Sequence, residues 1–283
     1  MNSYFLDFME IGTSDFDTLI ETSNNNTIGI SIEPIKFYLD KLPDKDNVKK
    51  INCAISDSNG ECLIYYINEV NIEKYNLPWW VKGCNYINKI HPTVNNYLRD
   101  NEIKNKIFEK YKIEKYTLNT FIIDNKVSGI FLLKIDTEGH DCCILQKFIE
   151  EYNNNLILPH NIKFETNKLT SKYVVKDTIK FLNNIGYDLI SSSLKTDTYV
   201  KLNLNKLKKQ YIFTDKINNY IIKKKFDYDI NNLPYDNTLD NAKEYCIKIN
   251  GTGISYIDGK YIVSTGNYLE EANNNDIYTF LYL

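Results

Sequence analysis

Arginine is nearly missing from this chain. Arg99 is the only one, the other cations are lysines, and 34 basic against 37 acidic residues leave a net charge of −3. No global basic field therefore recruits nucleic acid. Lysine, asparagine, isoleucine and tyrosine are abundant. All have A/T-rich codons, so the bias reads as genome composition, as in a large DNA virus or an AT-rich protist. Long apolar runs are missing too, and none approaches the roughly 20 residues of a membrane span. The six cysteines, at 53, 62, 84, 142, 143 and 246, form no secreted framework. With no signal peptide, the expectation is reduced thiols in a cytoplasm, the host's if the chain is viral. His140 lies beside Cys142 and Cys143, but no second Cys/His cluster with zinc spacing accompanies them. Buried packing thiols are expected there rather than structural zinc.

What is present is an alternation of strands and helices. A chain of 283 residues holds one large α/β domain and a small appendage. Strands are expected at 4–12 (YFLDFMEIG), 27–34 (TIGISIEP), 50–57 (KINCAISD) and 61–67 (ECLIYYI), with helices at 14–23 and 35–42. Residues 68–115 break the rhythm and hold both tryptophans, in LPWWVKG. The alternation resumes with a helix at 117–124, the buried strand GIFLLKI (129–135), a helix at 141–152, strand 161–167 and a helix at 171–184. Strands at 187–193 and 197–203 are close enough in sequence to be antiparallel. The fold class read from this order is α/β: a Rossmann-like sheet of seven strands, mostly parallel, with an antiparallel last strand. After 203 the chain turns lysine-rich, and 204–234 reads as a linker. A small C-terminal α+β module is expected at 235–283, with a helix at 238–248 and a hairpin about Asp258-Gly259.

Carboxylates end successive strands: Glu10, Glu33, Asp57 and Asp136. Polar groups at the C-terminal ends of parallel strands lie where open α/β sheets bind ligands. Each has a bland alternative when taken alone. Gly12 is then a turn glycine and Glu33 a solvated acid before Pro34. Asp136 and Glu138 then only favour the N-terminus of the helix that follows. Chance accounts poorly for all four in order. The first loop, FMEIGTSDFD, has a single glycine and is a poor cradle for a pyrophosphate.

EIGTSDFD, GISIEP, NCAISDSNG and above all FLLKIDTEGHD resemble the motif series of the FkbM-type S-adenosylmethionine-dependent methyltransferases, over about residues 4–203. I-D-x-E-G is the most specific element; E-x-G is generic. The resemblance implies a class I methyltransferase fold and methyl transfer from S-adenosyl-L-methionine to an oxygen, often on a sugar. It implies that Glu10, Gly12, Glu33 and Asp57 line the cofactor site, with Asp136 near the transferable methyl. That cofactor has no phosphate, which suits the glycine-poor loop. Glu10 and Asp15 could accept from its ammonium, Glu33 from both ribose hydroxyls, and Ser56 and Asp57 could meet the adenine edge. The chain departs from the family pattern in that glycine-poor loop and in a first strand that starts within a few residues of Met1, so a preceding helix is expected to be missing.

Methyl transfer needs alignment and removal of the acceptor's proton. Asp136 or His140 could serve as that base, imidazole titrating near neutrality; His140 as a surface residue is the competing reading. Glu165 could hydrogen-bond the substrate. In a metal-assisted variant Asp136 and Glu165-Thr166-Asn167 would hold Mg²⁺, although no residue is assigned as a fixed metal ligand. The insertion at 68–115 is expected to cover the acceptor site. There Trp79 and Trp80, with Tyr86 and His91, either stack on a sugar or base or form the lid's own core. The lysine runs at 206–209 and 223–225 read as solvated faces. The function expected is an O-methyltransferase for a sugar hydroxyl on a nucleotide-sugar or glycan. Its rivals are an RNA methyltransferase and a non-catalytic glycan- or protein-binding module. The C-terminal module is expected to dock on the main domain or on another subunit, as in a homo-oligomer.

Overall fold

A computed structural model describes residues 4–152, 157–207, 214, 216–223, 230–232, 238–272 and 277–282. The chain forms two compact units, Met1–Ile179 with Ser191–Tyr199, and Lys180–Ile190 with Val200–Leu283. Among the described residues no helix is long and apolar enough to cross a membrane.

The first unit opens with β1 (Tyr4–Ile11), α1 (Leu19–Thr22), β2 (Gly29–Ile32), α2 (Lys36–Lys41), β3 (Val48–Ile51), β4 (Ala54–Ser56) and β5 (Gly60–Tyr66). The insertion carries α3 (Glu69–Lys74), β6 (Tyr86–Ile87), α4 (Pro92–Asp100) and β7 (Glu109–Thr117). The chain continues with α5 (Leu118–Asp124), β8 (Val127–Ile135), α6 (Asp141–Glu150), β9 (Asn161–Glu165), α7 (Lys172–Asn184), β10 (Tyr187–Ser192) and β11 (Asp197–Leu202), of which residues 180–190 and 200–202 fall in the second unit. The main sheet is mixed and seven-stranded, in the order β10-β11-β9-β8-β1-β2-β3. The β9-β8, β8-β1, β1-β2 and β2-β3 pairs are parallel. β10 and β11 are neighbours across a connection of only residues 193–196. That is too short for a parallel crossover, so the pair is an antiparallel hairpin.

GIFLLKI is the centre of this sheet, and its apolar run is needed on both faces: Ile130 and Leu133 are wholly buried. Its one charge, Lys134, lies directly across from Glu10 on β1. On one face of the sheet Phe8 and Val48 pack with Ile20, Leu39 and Leu42 from the first two helices and their flanks. Burying each such side chain contributes about 1.5–3 kcal/mol.

The expected strand at 50–57 is two strands in two sheets. β3 ends at Ile51 and β4 starts at Ala54, where it pairs with β7 in a four-stranded sheet of order β4-β7-β5-β6. Asn52 causes the break: its amide donates to the backbone carbonyls of Glu33 and Pro34, both at 2.9 Å, and turns the chain out of the main sheet. β5 follows β4 after a short turn and pairs antiparallel with β7. The rest of the insertion has a small core of Ile67, Leu77, Val81, Val94, Leu98 and Ile107, against which Trp80 and Tyr97 pack.

The second unit contains β12 (Ile217–Asn218), β13 (Tyr220–Lys223), β14 (Ile230–Asn232), α8 (Leu239–Lys248), β15 (Gly253–Ile257), β16 (Lys260–Ser264), β17 (Tyr268–Glu271) and β18 (Tyr278–Leu281). Its sheets run β12-β18-β15-β16-β14 and β13-β17. The described parts of 204–234, read from sequence as a linker, thus supply three strands, each paired with a strand far along the chain. β15 and β16 form the expected hairpin. Its turn residues Asp258 and Gly259 have φ of 49° and 78°, the positive pair that a two-residue I′ turn requires. Ala242, Cys246, Ile254, Val263 and Tyr282 form the core beneath α8.

Candidate active site

A cavity of about 590 Å³, open to solvent, lies in the first unit where β1, β2 and β8 end. The chain order reverses at this point of the sheet, with β2 on one side of β1 and β8 on the other, the usual ligand position in open α/β folds. Gly12, Glu33, Asp136 and His140 all line it; among the lining residues there is no lysine or arginine.

Gly12 joins the strands. Its φ is +80°, its N–H donates to Ile32 O at 2.9 Å, and a Cβ there would fall 2.0 Å from the carbonyl oxygen of Asp136. Only glycine permits this approach. The loop beyond it is pinned by Glu33, which is 3% exposed. One carboxylate oxygen of Glu33 accepts Ser14 N–H and the other Ile35 N–H, each at 2.8 Å. Burial raises the Glu33 pKa to about 7 despite these bonds. Ser14, 8% exposed, also lines the cavity, and its Oγ has no hydrogen-bond partner among the described residues.

Two acids expected at the cofactor do not line the cavity. Glu10 is wholly buried and accepts from Lys134 Nζ at 2.8 Å and from Leu19 N–H at 2.9 Å, so it ties β1 to β8 and to the start of α1. Asp15 is paired with Lys82 at 2.7 Å and with Lys41 at 3.5 Å. Ser56 and Asp57 also stand outside the lining, which takes Ala54 and Ile55 from the same strand. Asp57 is half exposed and accepts from the hydroxyls of Ser56 and Ser58, both at 3.1 Å. Ser56 Oγ is 3.0 Å from His140 Nε2.

The acids of I-D-T-E-G gather with others at the ends of β8 and β9. Burial raises the Asp136 pKa to about 6, with Lys134 opposing and Glu138 adding to the rise. Glu165 is raised to about 8 by burial and by Glu138 and Asp136; it does not line the cavity, and one of its oxygens accepts from Asn167 at 2.5 Å. Asp141, which sequence reasoning treated only as the start of a helix, is wholly buried. It accepts Thr137 N–H, Thr137 O–H and Glu165 N–H at 3.3, 3.0 and 3.2 Å, and so holds the two strand ends together. Its place at the end of FLLKIDTEGHD was the available signal. Burial instead lowers the pKa of His140, leaving its ring neutral at pH 7.

The insertion supplies the opposite wall through Gly83, Asn85 and Ile87. Trp80 is edge-on to Tyr97 inside the insertion's core, whereas Trp79 is 77% exposed and edge-on to Phe16. Among the described residues, Cys84, His91 and Glu138 have ligand atoms within 4.8 Å of one another, a spacing a metal ion could use. The hydrogen bonds favour another arrangement. His91 Nδ1 accepts Val94 N–H at 3.4 Å, so in the neutral ring the proton is on Nε2 and is donated to Glu138 at 3.2 Å. A metal at Nε2 would need the other tautomer. The grouping contains neither Asp136 nor Glu165, and a thiol suits Mg²⁺ poorly.

Residues 9–189 match the family model described as the methyltransferase FkbM domain. No curated protein and no solved structure matches the chain.

Proposed function

Because the chain belongs to the FkbM methyltransferase family, we propose that it is an S-adenosyl-L-methionine-dependent O-methyltransferase that acts on a sugar hydroxyl of a nucleotide-sugar or glycan. The observation that carries the reading is the cavity itself. It has a buried carboxylate, Glu33, beside an unpartnered hydroxyl, Ser14 Oγ, and it has acids but no cation in its lining. Such a site fits a cationic ligand with ribose hydroxyls and repels a phosphate. S-adenosyl-L-methionine, when bound, supplies a methyl group on positively charged sulfur. Glu33 is the acceptor for the ribose hydroxyls, Ile32, Ala54 and Ile55 offer apolar wall to the adenine, and Gly12 gives backbone access beside Asp136. His140 removes the proton of the acceptor hydroxyl, its neutral ring being able to take one. Asn85, from the insertion, faces the same space and has a buried carbonyl oxygen without a partner among the described residues, placed to fix a hydroxyl of the acceptor.

Calorimetry with S-adenosylhomocysteine tests this. Glu33→Ala should weaken binding by about 1–3 kcal/mol, the effect of unpairing hydroxyls in a buried site. Equal affinity in the wild type and a folded Glu33→Ala variant would remove Glu33 from the ribose role. No binding by the wild type would remove the cofactor.

A further inference from the structure

His140 stands in a chain of polar groups that leads out of the cavity. Its Nε2 is 3.0 Å from Ser56 Oγ. The Ser56 hydroxyl donates to Asp57 Oδ1 at 3.1 Å, and the same oxygen accepts the Ser58 hydroxyl at 3.1 Å. Lys115 Nζ lies 2.5 Å from Ser58 Oγ and 3.7 Å from Asp57 Oδ1. Asp57 keeps its charge here. Partial burial opposes it, but the hydrogen bonds from Ser58 and Ser56 and the charge of Lys115 hold its carboxyl below the usual range.

The protons of this chain can be placed by elimination. An ionised carboxylate only accepts, and a serine hydroxyl has one proton to give. Ser56 gives its proton to Asp57, so Ser56 Oγ must accept from its other neighbour. That neighbour is His140 Nε2, which therefore holds the proton of the neutral ring. Nδ1 is left with the lone pair, and among the described residues it has no partner. Ser56 is 1% exposed, so water does not compete for its hydroxyl.

We propose that Ser56 and Asp57 are positioning residues that hold His140 in its Nε2–H tautomer and present Nδ1 as the base toward the acceptor hydroxyl. The base role rests on the function proposed above; the tautomer does not. Asp57, placed by sequence reasoning at the adenine, thus acts through His140. The logic is that of any base whose second nitrogen is fixed by a hydrogen-bonded partner, and which nitrogen is basic depends on that partner.

The chain has only three histidines, so nitrogen-15 NMR of the imidazoles in the full-length protein can resolve each ring. The expected result for His140 near neutral pH is a pyrrole-type Nε2 and a pyridine-type Nδ1. Asp57→Asn should reverse it: the new amide can donate to Ser56, whose hydroxyl then donates to Nε2 and moves the ring proton to Nδ1. Ser56→Ala should leave a mixture, and Ser56→Thr should restore the wild-type pattern. Unchanged signals from His91 and His160 report that the variants are folded. A wild-type His140 protonated at Nδ1, or a tautomer that ignores both Asp57→Asn and Ser56→Ala, overturns the proposal. Turnover separates the two layers. A kcat reduced by up to about 100-fold in Asp57→Asn, with cofactor affinity kept, supports Nδ1 as base. A reversed tautomer with full turnover overturns the base role and leaves the assigned relay standing.

Discussion

His91 and Glu138 are joined by an N–H···O bond of 3.2 Å, in which a histidine of the insertion holds a carboxylate of the I-D-T-E-G loop. Glu138 has a φ of 56°, left-handed for a residue with a side chain, so the loop is held in a conformation that its own residues disfavour. The same imidazole caps α4 by accepting Val94 N–H. His91 therefore couples the fold of the insertion to the shape of the cavity wall.

Removing it should affect both. His91→Ala should destabilise the first unit by about 1–3 kcal/mol, from a lost cap and a half-buried carboxylate left without its donor. Urea denaturation measures this. His91→Asn, which can cap but not reach Glu138, should recover part of the stability. If His91→Ala melts like the wild type, the bond does not hold the loop.

The acids around the cavity predict a pH dependence of stability. Glu33 and Asp141 titrate near 7 when folded, against 4.5 and 3.8 as ordinary values, and Glu165 near 8 against 4.5. Burial is the main cause in each case. The folded chain then holds more protons than the unfolded one between those limits. The stability these groups lend is complete below the ordinary values and is lost as the pH rises through 7 to 8. The urea midpoint should therefore fall between about pH 5 and about pH 8. A flat or rising midpoint over that interval would show that these carboxyls are ionised when folded.

The two tryptophans should separate cleanly. Trp80→Ala removes a ring that packs in the insertion's core and should cost about 2–4 kcal/mol, below the value for a fully buried tryptophan. Trp79→Ala, at a site 77% exposed, should change stability by less than about 0.5 kcal/mol. If the exposed ring is an acceptor platform, Trp79→Ala raises KM for the acceptor and leaves cofactor affinity alone. An unchanged KM leaves Trp79 as surface.

Much of this was legible in the sequence, residue by residue. GIFLLKI announced a central strand because a strand covered on both faces must be apolar throughout. Gly12, Glu33 and Asp136 converge because each ends a parallel strand, and parallel strands end on one edge. Glu10 was harder to place, since an acid at a strand end looks the same whether it faces a ligand or a lysine. The missed clue was Lys134: a lone charge in a buried run requires a partner, and register puts Glu10 opposite it. The switch of sheets at Asn52 had no signature, because Ile51, Ala54 and Ile55 keep the apolar pattern going. The three strands in 204–234 went unseen because their paired residues in β16, β17 and β18 lie 30 to 62 positions further along.

That long-range pairing makes the second unit sensitive to where the chain is cut. β12 pairs with β18, β13 with β17 and β14 with β16. Truncation after residue 234 would keep the first member of every pair and delete the second, together with α8 and the core it covers. Unpaired strands expose backbone donors and acceptors that invite aggregation. The truncated chain should therefore aggregate or melt early, as light scattering and differential scanning fluorimetry would show. Gly259→Ala gives a gentler test of the same unit. A Cβ at Gly259 meets nothing within 4 Å, so only its φ of +78° is strained, at about 1 kcal/mol. A soluble truncated protein that melts with the full-length chain would mean that 204–234 does not need the C-terminal strands.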